Sequence, residues 1–248
     1  MFRSLLQAMR PKQWAKNVFV FAGVFFDGRI LDVRRIAASM AAFALFCLLS
    51  GAVYLINDLA DLERDRVHPE KRHRPLASGA LPPRAAWLAT VVILGVGLPL
   101  SFLLKPAFGA VALLYVAMML AYSFYLKNLV IIDVMVIAAG FVLRVFAGTI
   151  VVAVTRFSPW LYVCTTLLAL FIAINKRRHE LLLLAEKAND HRSSLQEYSP
   201  RFLDDMTSLV VATLLSAYSL YTFSAPNLPA NHSMMLTIPF VMYGIFRY

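Results

Sequence analysis

The sequence predicts an all-α, polytopic membrane bundle, and three observations carry that prediction. Hydrophobic residues make up 60% of the 248 positions and charged ones only 15%. Apolar runs of roughly 20 residues recur, the length that takes a helix across the hydrocarbon core of a bilayer. Most of these runs are bracketed by charge, as the ends of spans are.

The elements follow in order. A first run, residues 14–31, is interrupted by Asp27 and Gly28. Six more regular runs come next, at 37–56, 85–104, 107–126, 129–154, 157–175 and 206–226. A last run begins near residue 233 and is still apolar at Tyr248. The reading is a single domain over residues 1–248 with about eight spans.

The basic start (Arg3, Arg10, Lys12, Lys16) leads into apolar sequence without a small-residue cleavage site, so the N-terminus is expected to stay in the cytoplasm. With eight spans, 17 of the 24 Lys/Arg fall on the N-terminal side and 5 on the other, which places that side in the cytoplasm. The net charge of +10 suits an anionic leaflet. It does not suggest nucleic acid, because the basic residues are divided among loops. Cys47 and Cys164 sit inside apolar runs and read as packing residues. His68, His73, His179 and His191 stand in polar loops without metal-ligand spacing.

Residues 56–79, INDLADLERDRVHPEKRHRPLASG, hold five carboxylates and five Lys/Arg directly behind an apolar run. If the helix continues through this stretch and Asn57 defines 0°, Asp61, Asp65 and Asp58 fall at about 40°, 80° and 100°, with Glu63 near 240° on the far side. Carboxylate and carbonyl oxygens converging from one stripe suit Mg²⁺, whose remaining ligands come from water and substrate phosphates. Arg66, Lys71 and Arg74 in the basic tail are candidates for the outer phosphate oxygens. The competing reading is a solvated loop that carries topology charge and helix-stabilising ion pairs. It explains the stripe poorly, since carboxylates so placed repel one another by about a kcal/mol or more per close pair at intermediate dielectric.

The pattern NDxxDxxxD, here Asn57, Asp58, Asp61 and Asp65 followed by Arg66, Lys71, Arg74, Pro75 and Gly79, resembles the first signature of the UbiA superfamily of intramembrane transferases. The resemblance implies a UbiA-type helical bundle, nine spans in a complete member, whose central cavity faces the cytoplasm and opens sideways to lipid. The chain would then stop before most of the eighth span and all of the ninth. Prenyltransferases of the superfamily carry a second Asp-rich motif in the sixth-to-seventh loop, but here stands NKRRHELLLLAEKANDHRSSLQEY, led by Lys176, Arg177, Arg178 and Glu180. That cationic cluster points to direct binding of phosphate groups, with topology charge as the alternative. The two long polar loops, 57–84 and 176–201, are separated by four spans and so lie on the same side, which raises the expectation of a shared site.

RPKQWAKN (10–17), AYSFYLKN (121–128), IIDVMVIAAGFVLRVFAG (131–148) and KRRHEL (176–181) together resemble the decaprenyl-phosphate phosphoribosyltransferase branch. By implication the donor is 5-phosphoribosyl diphosphate, the acceptor a polyprenyl phosphate and the cofactor Mg²⁺. The enzyme would be an integral protein of a bacterial-type inner membrane with its site facing the cytoplasm. Lys12, Lys16, Lys127, Lys176 and Arg177 are candidates for offsetting repulsion between two anionic substrates. Asp133 and Arg144 are charges inside a span and therefore functional candidates. Eleven residues apart on a helix, they share a face but stand about 16 Å from each other, so they are not expected to pair. Tyr122 and Lys127 fit a ribose or phosphate contact. Two other functions remain open: prenyl transfer to an aromatic acceptor, which the absent second Asp motif disfavours, and transport, which leaves the Asp stripe without a purpose.

Overall fold

In a computed structural model of the chain, residues 1–27, 30–154, 159–183, 197–225, 228 and 231–247 are described, and all regular structure among them is helical. Six helices are long and apolar enough to cross a membrane. They are α3 (Val33–Ala60), α5 (Pro83–Leu104), α6 (Pro106–Phe124), α7 (Ile132–Val152), α8 (Pro159–Leu183) and α9 (Pro200–Ser224). They coincide with the six regular runs predicted above. The two irregular runs form shorter pieces. The first is a 3₁₀ segment (Pro11–Phe21) continuing into α2 (Ala22–Phe26), preceded by α1 (Phe2–Ala8); the last is α10 (Ile238–Arg247). Between the long helices lie α4 (Leu62–Val67) and 3₁₀ turns at Lys71–His73 and Leu126–Asn128.

Local chemistry sets the helix starts. Asp32 caps α3 by accepting from the Arg34 and Arg35 amides at 3.0 and 3.3 Å, while Arg35 pairs with Asp27 at 2.5 Å. Pro83, Pro106 and Pro200 open α5, α6 and α9, where a missing N–H costs nothing. Ser199 also caps α9 by accepting from the Phe202 amide. Ser101 and Thr90 return their hydroxyls to carbonyls one turn back, as helices in lipid require of buried polar groups.

The described residues group into two compact units. The first comprises 1–125 and 143–154, the second 126–142 and 155–248, so α7 contributes to both. In the first, α3 is the central helix, packing against α5, α6 and the 3₁₀ segment. Its Leu45, Phe46 and Leu49 join Phe108, Ala112 and Tyr115 of α6 in one core. A smaller cluster of Met9, Leu55, Leu76 and Leu81 lies beside the polar end of α3. By contrast, α5 turns Leu88, Val92, Val96 and Leu103 outward, as suits a helix facing hydrocarbon. In the second unit α8 packs against α9 through Phe171, Ile174, Leu203 and Val210, with Val134 of α7 between them.

One contact in the first unit leaves no space for a side chain. A methyl built on Gly148 of α7 would sit 1.9 Å from the Val20 carbonyl oxygen, and one on Gly23 would sit 2.7 Å from the Gly148 carbonyl oxygen. The 3₁₀ segment and α7 thus meet backbone to backbone, which only small residues permit. Gly148→Ala is expected to lower stability in detergent by about 1–3 kcal/mol. Gly95→Ala, where a methyl meets no described atom within 4 Å, should raise it by about 0.5–1 kcal/mol. Thermal melts of the two variants check the pair.

Candidate active site

Charge in the first unit concentrates where α3 ends. The helix stops at Ala60 and α4 begins at Leu62, with Asp61 at the junction (φ −97°, ψ 11°). The uninterrupted helix expected from the sequence is therefore broken at Asp61. Even so, the Asp61 amide donates to the Asn57 carbonyl at 3.0 Å and the Asp65 amide to the Asp61 carbonyl at 2.8 Å, so the spacing of one turn is kept across the break.

Asp58 and Asp65 are brought together by a residue further along the chain. Arg74 Nη1 donates to Asp65 Oδ2 at 2.6 Å and to Asp58 Oδ1 at 3.2 Å, so the two carboxylate oxygens lie within about 6 Å of each other. Both Asp side chains are almost wholly buried, at 2% and 5% exposure. Buried carboxylates need such a counter-charge, because desolvation of an unpaired ion costs several kcal/mol. Pro75 and Leu76 are buried beside Arg74 and anchor this return of the chain.

Arg10 Nη2 donates to Asp58 Oδ1 as well, and its guanidinium lies 4.8 Å from the centre of the Tyr54 ring. Its backbone is left-handed, with φ 55°, immediately before Pro11. A non-glycine residue in that conformation costs of order 1–3 kcal/mol, which the surrounding contacts must offset. Sequence reading passed over Arg10 as a site residue, although RPKQWAKN was the signal available.

The remaining candidates of this unit are distributed differently. Asn57 and Asp61 are half-buried at the junction. Arg66 donates to Glu63 at 2.8 Å, with side chains 48% and 80% exposed, and is not brought to the Asp58/Asp65 pair. Lys71 is half-buried, and its amide donates to His68 Nδ1. Lys12 is exposed; Lys16 and Tyr122 are half-buried. Arg144, buried in α7, donates from Nε to Asn17 Oδ1 at 2.7 Å and from Nη2 to the Tyr115 hydroxyl at 2.8 Å. Asn17 in turn donates to Ser50 Oγ at 3.2 Å, so Arg144 ties three elements of the first unit together inside the span.

The second unit holds its own buried ion pair. Asp133 is fully buried, and its Oδ2 lies 2.9 Å from Arg177 Nε, off hydrogen-bond alignment. Arg177 is itself only 1% exposed and also donates from Nη1 to Glu180 Oε2. Lys176 Nζ stands 3.8 Å from Glu180 Oε1, so one carboxylate sits between two cations. Asp133 and Arg144 thus take different partners, as their spacing requires. Tyr198, which sequence reading missed, donates to Asp133 Oδ1 at 2.7 Å and accepts from the Ile131 amide at 2.7 Å. Burial, then the bond to Asp133, pushes its phenol pKa well up. Nothing in the local pattern signals a contact spanning 65 positions. Lys127 is buried in the 3₁₀ turn before α7. His191 and most of the loop after Leu183 lie outside the described residues.

Among the described residues no three His, Cys, Asp or Glu side chains are gathered to hold a metal. The donor chemistry nonetheless fits Mg²⁺, since two buried carboxylates flank a single cationic nitrogen and the oxygens of Asn57 and Asp61 belong to the same helix end.

Membrane-length helices with buried, cation-paired carboxylates near their ends define an integral membrane protein. The chain belongs to the UbiA prenyltransferase family, a family of transferases, whose model matches residues 17–248. It is 35% identical over 223 residues, 88% of this chain and 67% of the relative, to decaprenyl-phosphate phosphoribosyltransferase of Corynebacterium glutamicum. It is likewise 35% identical over 236 residues, 94% of this chain and 73% of the relative, to the protein of that name from Mycolicibacterium smegmatis. Among solved structures, a UbiA homologue from Archaeoglobus fulgidus bound to GPP and Mg²⁺ superposes with a TM-score of 0.77 over 99% of this chain and 85% of that one. At 17% identity that likeness shows the fold.

Arg74→Ala removes the charge shared by Asp58 and Asp65. In metal-free detergent it should cost about 3 kcal/mol of stability, and added Mg²⁺ should restore more of the melting temperature than it adds to the unaltered chain. Thermal melts with and without Mg²⁺ measure both.

Proposed function

We propose that the protein transfers 5-phosphoribose from 5-phosphoribosyl diphosphate to a polyprenyl phosphate, releasing diphosphate at the cytoplasmic face of a bacterial-type plasma membrane. The observation that carries this reading is the likeness, over most of the chain, to relatives named decaprenyl-phosphate phosphoribosyltransferase. The residues support it. Where a second acidic motif would serve a second metal, the end of α8 presents Lys176, Arg177 and Glu180.

The chemistry asks for little beyond placement and charge. The bond from the ribosyl C1 to the diphosphate oxygen breaks, its electrons leave with diphosphate, and a new bond forms from C1 to a phosphate oxygen of the lipid. That oxygen is already anionic, so no strong base is needed. Asn57, Asp58, Asp61 and Asp65 would hold Mg²⁺, which when bound neutralises departing diphosphate as a Lewis acid. Arg74 and Arg10 supply further positive charge beside those carboxylates, Arg74 offers a planar fork for phosphate oxygens, and Lys71 in the same basic tail is a further phosphate-binding candidate. Arg177, Lys176 and Lys127 serve phosphate binding in the second unit. The apolar helices keep the acceptor's polyprenyl tail in lipid while its headgroup meets the polar helix ends.

A second reading, prenyl transfer from a prenyl diphosphate to an aromatic acceptor, is favoured by the family match alone. Purified protein with Mg²⁺ is given phosphoribosyl diphosphate and polyprenyl phosphate in one reaction, and prenyl diphosphate and 4-hydroxybenzoate in another. Diphosphate release in the first reaction alone is expected, with ribose 5-phosphate joined to the lipid through C1 and inverted there. Release only in the second would replace the first reading with the other. In the productive reaction Asp61→Ala should reduce turnover at least a hundredfold and Glu63→Ala less than about threefold, since Glu63 points outward to Arg66. Equal losses at matched protein levels would argue against the assignment of the carboxylates.

A further inference from the structure

We infer that Tyr198 is a positioning residue for phosphate binding, acting through Asp133 on Arg177; this rests on reading Arg177 as a phosphate-binding group.

Arg177 reaches anions on two edges. Its Nε faces Asp133, which is fully buried, and its Nη1 faces Glu180, which is 29% exposed. The edge toward Glu180 is thus the one an incoming phosphate can compete for, and the Asp133 edge sets how the fork is aimed. A carboxylate beside a guanidinium ordinarily turns to engage it with both oxygens. Here Asp133 Oδ1 is occupied, accepting from the Tyr198 hydroxyl and, at 2.8 Å, from the Val134 amide. Only Oδ2 is left for Arg177, at a single nitrogen and off alignment. Tyr198 therefore keeps Asp133 from drawing the fork inward.

The same hydroxyl accepts the amide of Ile131, a β-branched residue held at φ 68° just before α7. That backbone conformation is costly for such a side chain and marks a turn held by its surroundings. With one donor and one acceptor, the Tyr198 oxygen is matched to both neighbours at 2.7 Å. Tyr198, two residues before α9, thereby holds both the turn that starts α7 and the carboxylate in its first turn.

Tyr198→Phe removes the oxygen and keeps the ring. It should raise KM for one of the two phosphate-bearing substrates about tenfold, the worth of a hydrogen bond to a charged group, while kcat changes less than about twofold. Asp133→Asn should raise the same KM, and Tyr198→Phe should add little in that background, because both act through one contact. If Tyr198→Phe yields no folded protein, the KM-against-kcat split of Asp133→Asn stands in its place. Additive effects, or a loss of kcat and melting temperature with KM unchanged, would overturn the inference and leave Tyr198 a packing residue. An Arg177→Ala variant with unchanged KM for both substrates would remove the phosphate-binding reading and this inference together. A raised KM in Arg177→Ala beside an unaffected Tyr198→Phe would remove the inference alone.

Discussion

A carboxylate at the end of a membrane helix must have its counter-charge within bonding distance, and much of this structure is arranged around that constraint. Asp58 and Asp65 are buried, so the chain returns through Pro75 and Leu76 to lay Arg74 across them. Arg10 is held in a left-handed conformation where it can add a second guanidinium to Asp58. In the second unit, Asp133 of α7 and Arg177 of α8 solve the same problem by pairing across the two helices. A guanidinium is suited to this work because it remains charged when buried and offers several donors in one plane.

Such compensation is compatible with function only if the counter-charges can exchange partners. The carboxylates of the first unit are held by nitrogen cations that a hard divalent ion can replace. Arg177 is held on one edge by the partly exposed Glu180, the contact that a phosphate would replace on the proposed function. On the proposed function, both arrangements keep buried charges paired without substrate and exchange those partners when it binds. Burial strengthens each exchange, since charges interact more strongly away from water.

The helical frame was legible in the sequence because lipid allows so few alternatives. A run of about 20 apolar residues has to satisfy its backbone internally, and a helix does so within the segment. Hence residues 85–104 and the helix Pro83–Leu104 agree almost to the residue. The run at 14–31 was harder to read. Asp27 and the close approach of Gly23 to Gly148 go with a short 3₁₀ segment and helix instead of a long span. The Asp stripe was legible as a spacing, but its break at Asp61 was not, because a turn that preserves i to i−4 bonds leaves no mark on periodicity.

Sequence by itself determined that this chain is a bundle of membrane helices and that Asn57, Asp58, Asp61 and Asp65 form a motif. Periodicity and spacing are properties of neighbours along the chain. Tertiary structure alone decided which cation meets which carboxylate: that Arg74 and Arg10 reach Asp58 while Arg66 turns away to Glu63, and that Asp133 takes Arg177 and Tyr198. These are contacts between residues up to 65 positions apart. Any of the 24 basic side chains carries the right charge for them, so composition cannot choose among them. The choice is made by burial and by the directions in which packed helices aim their side chains, and those exist only once the helices have met.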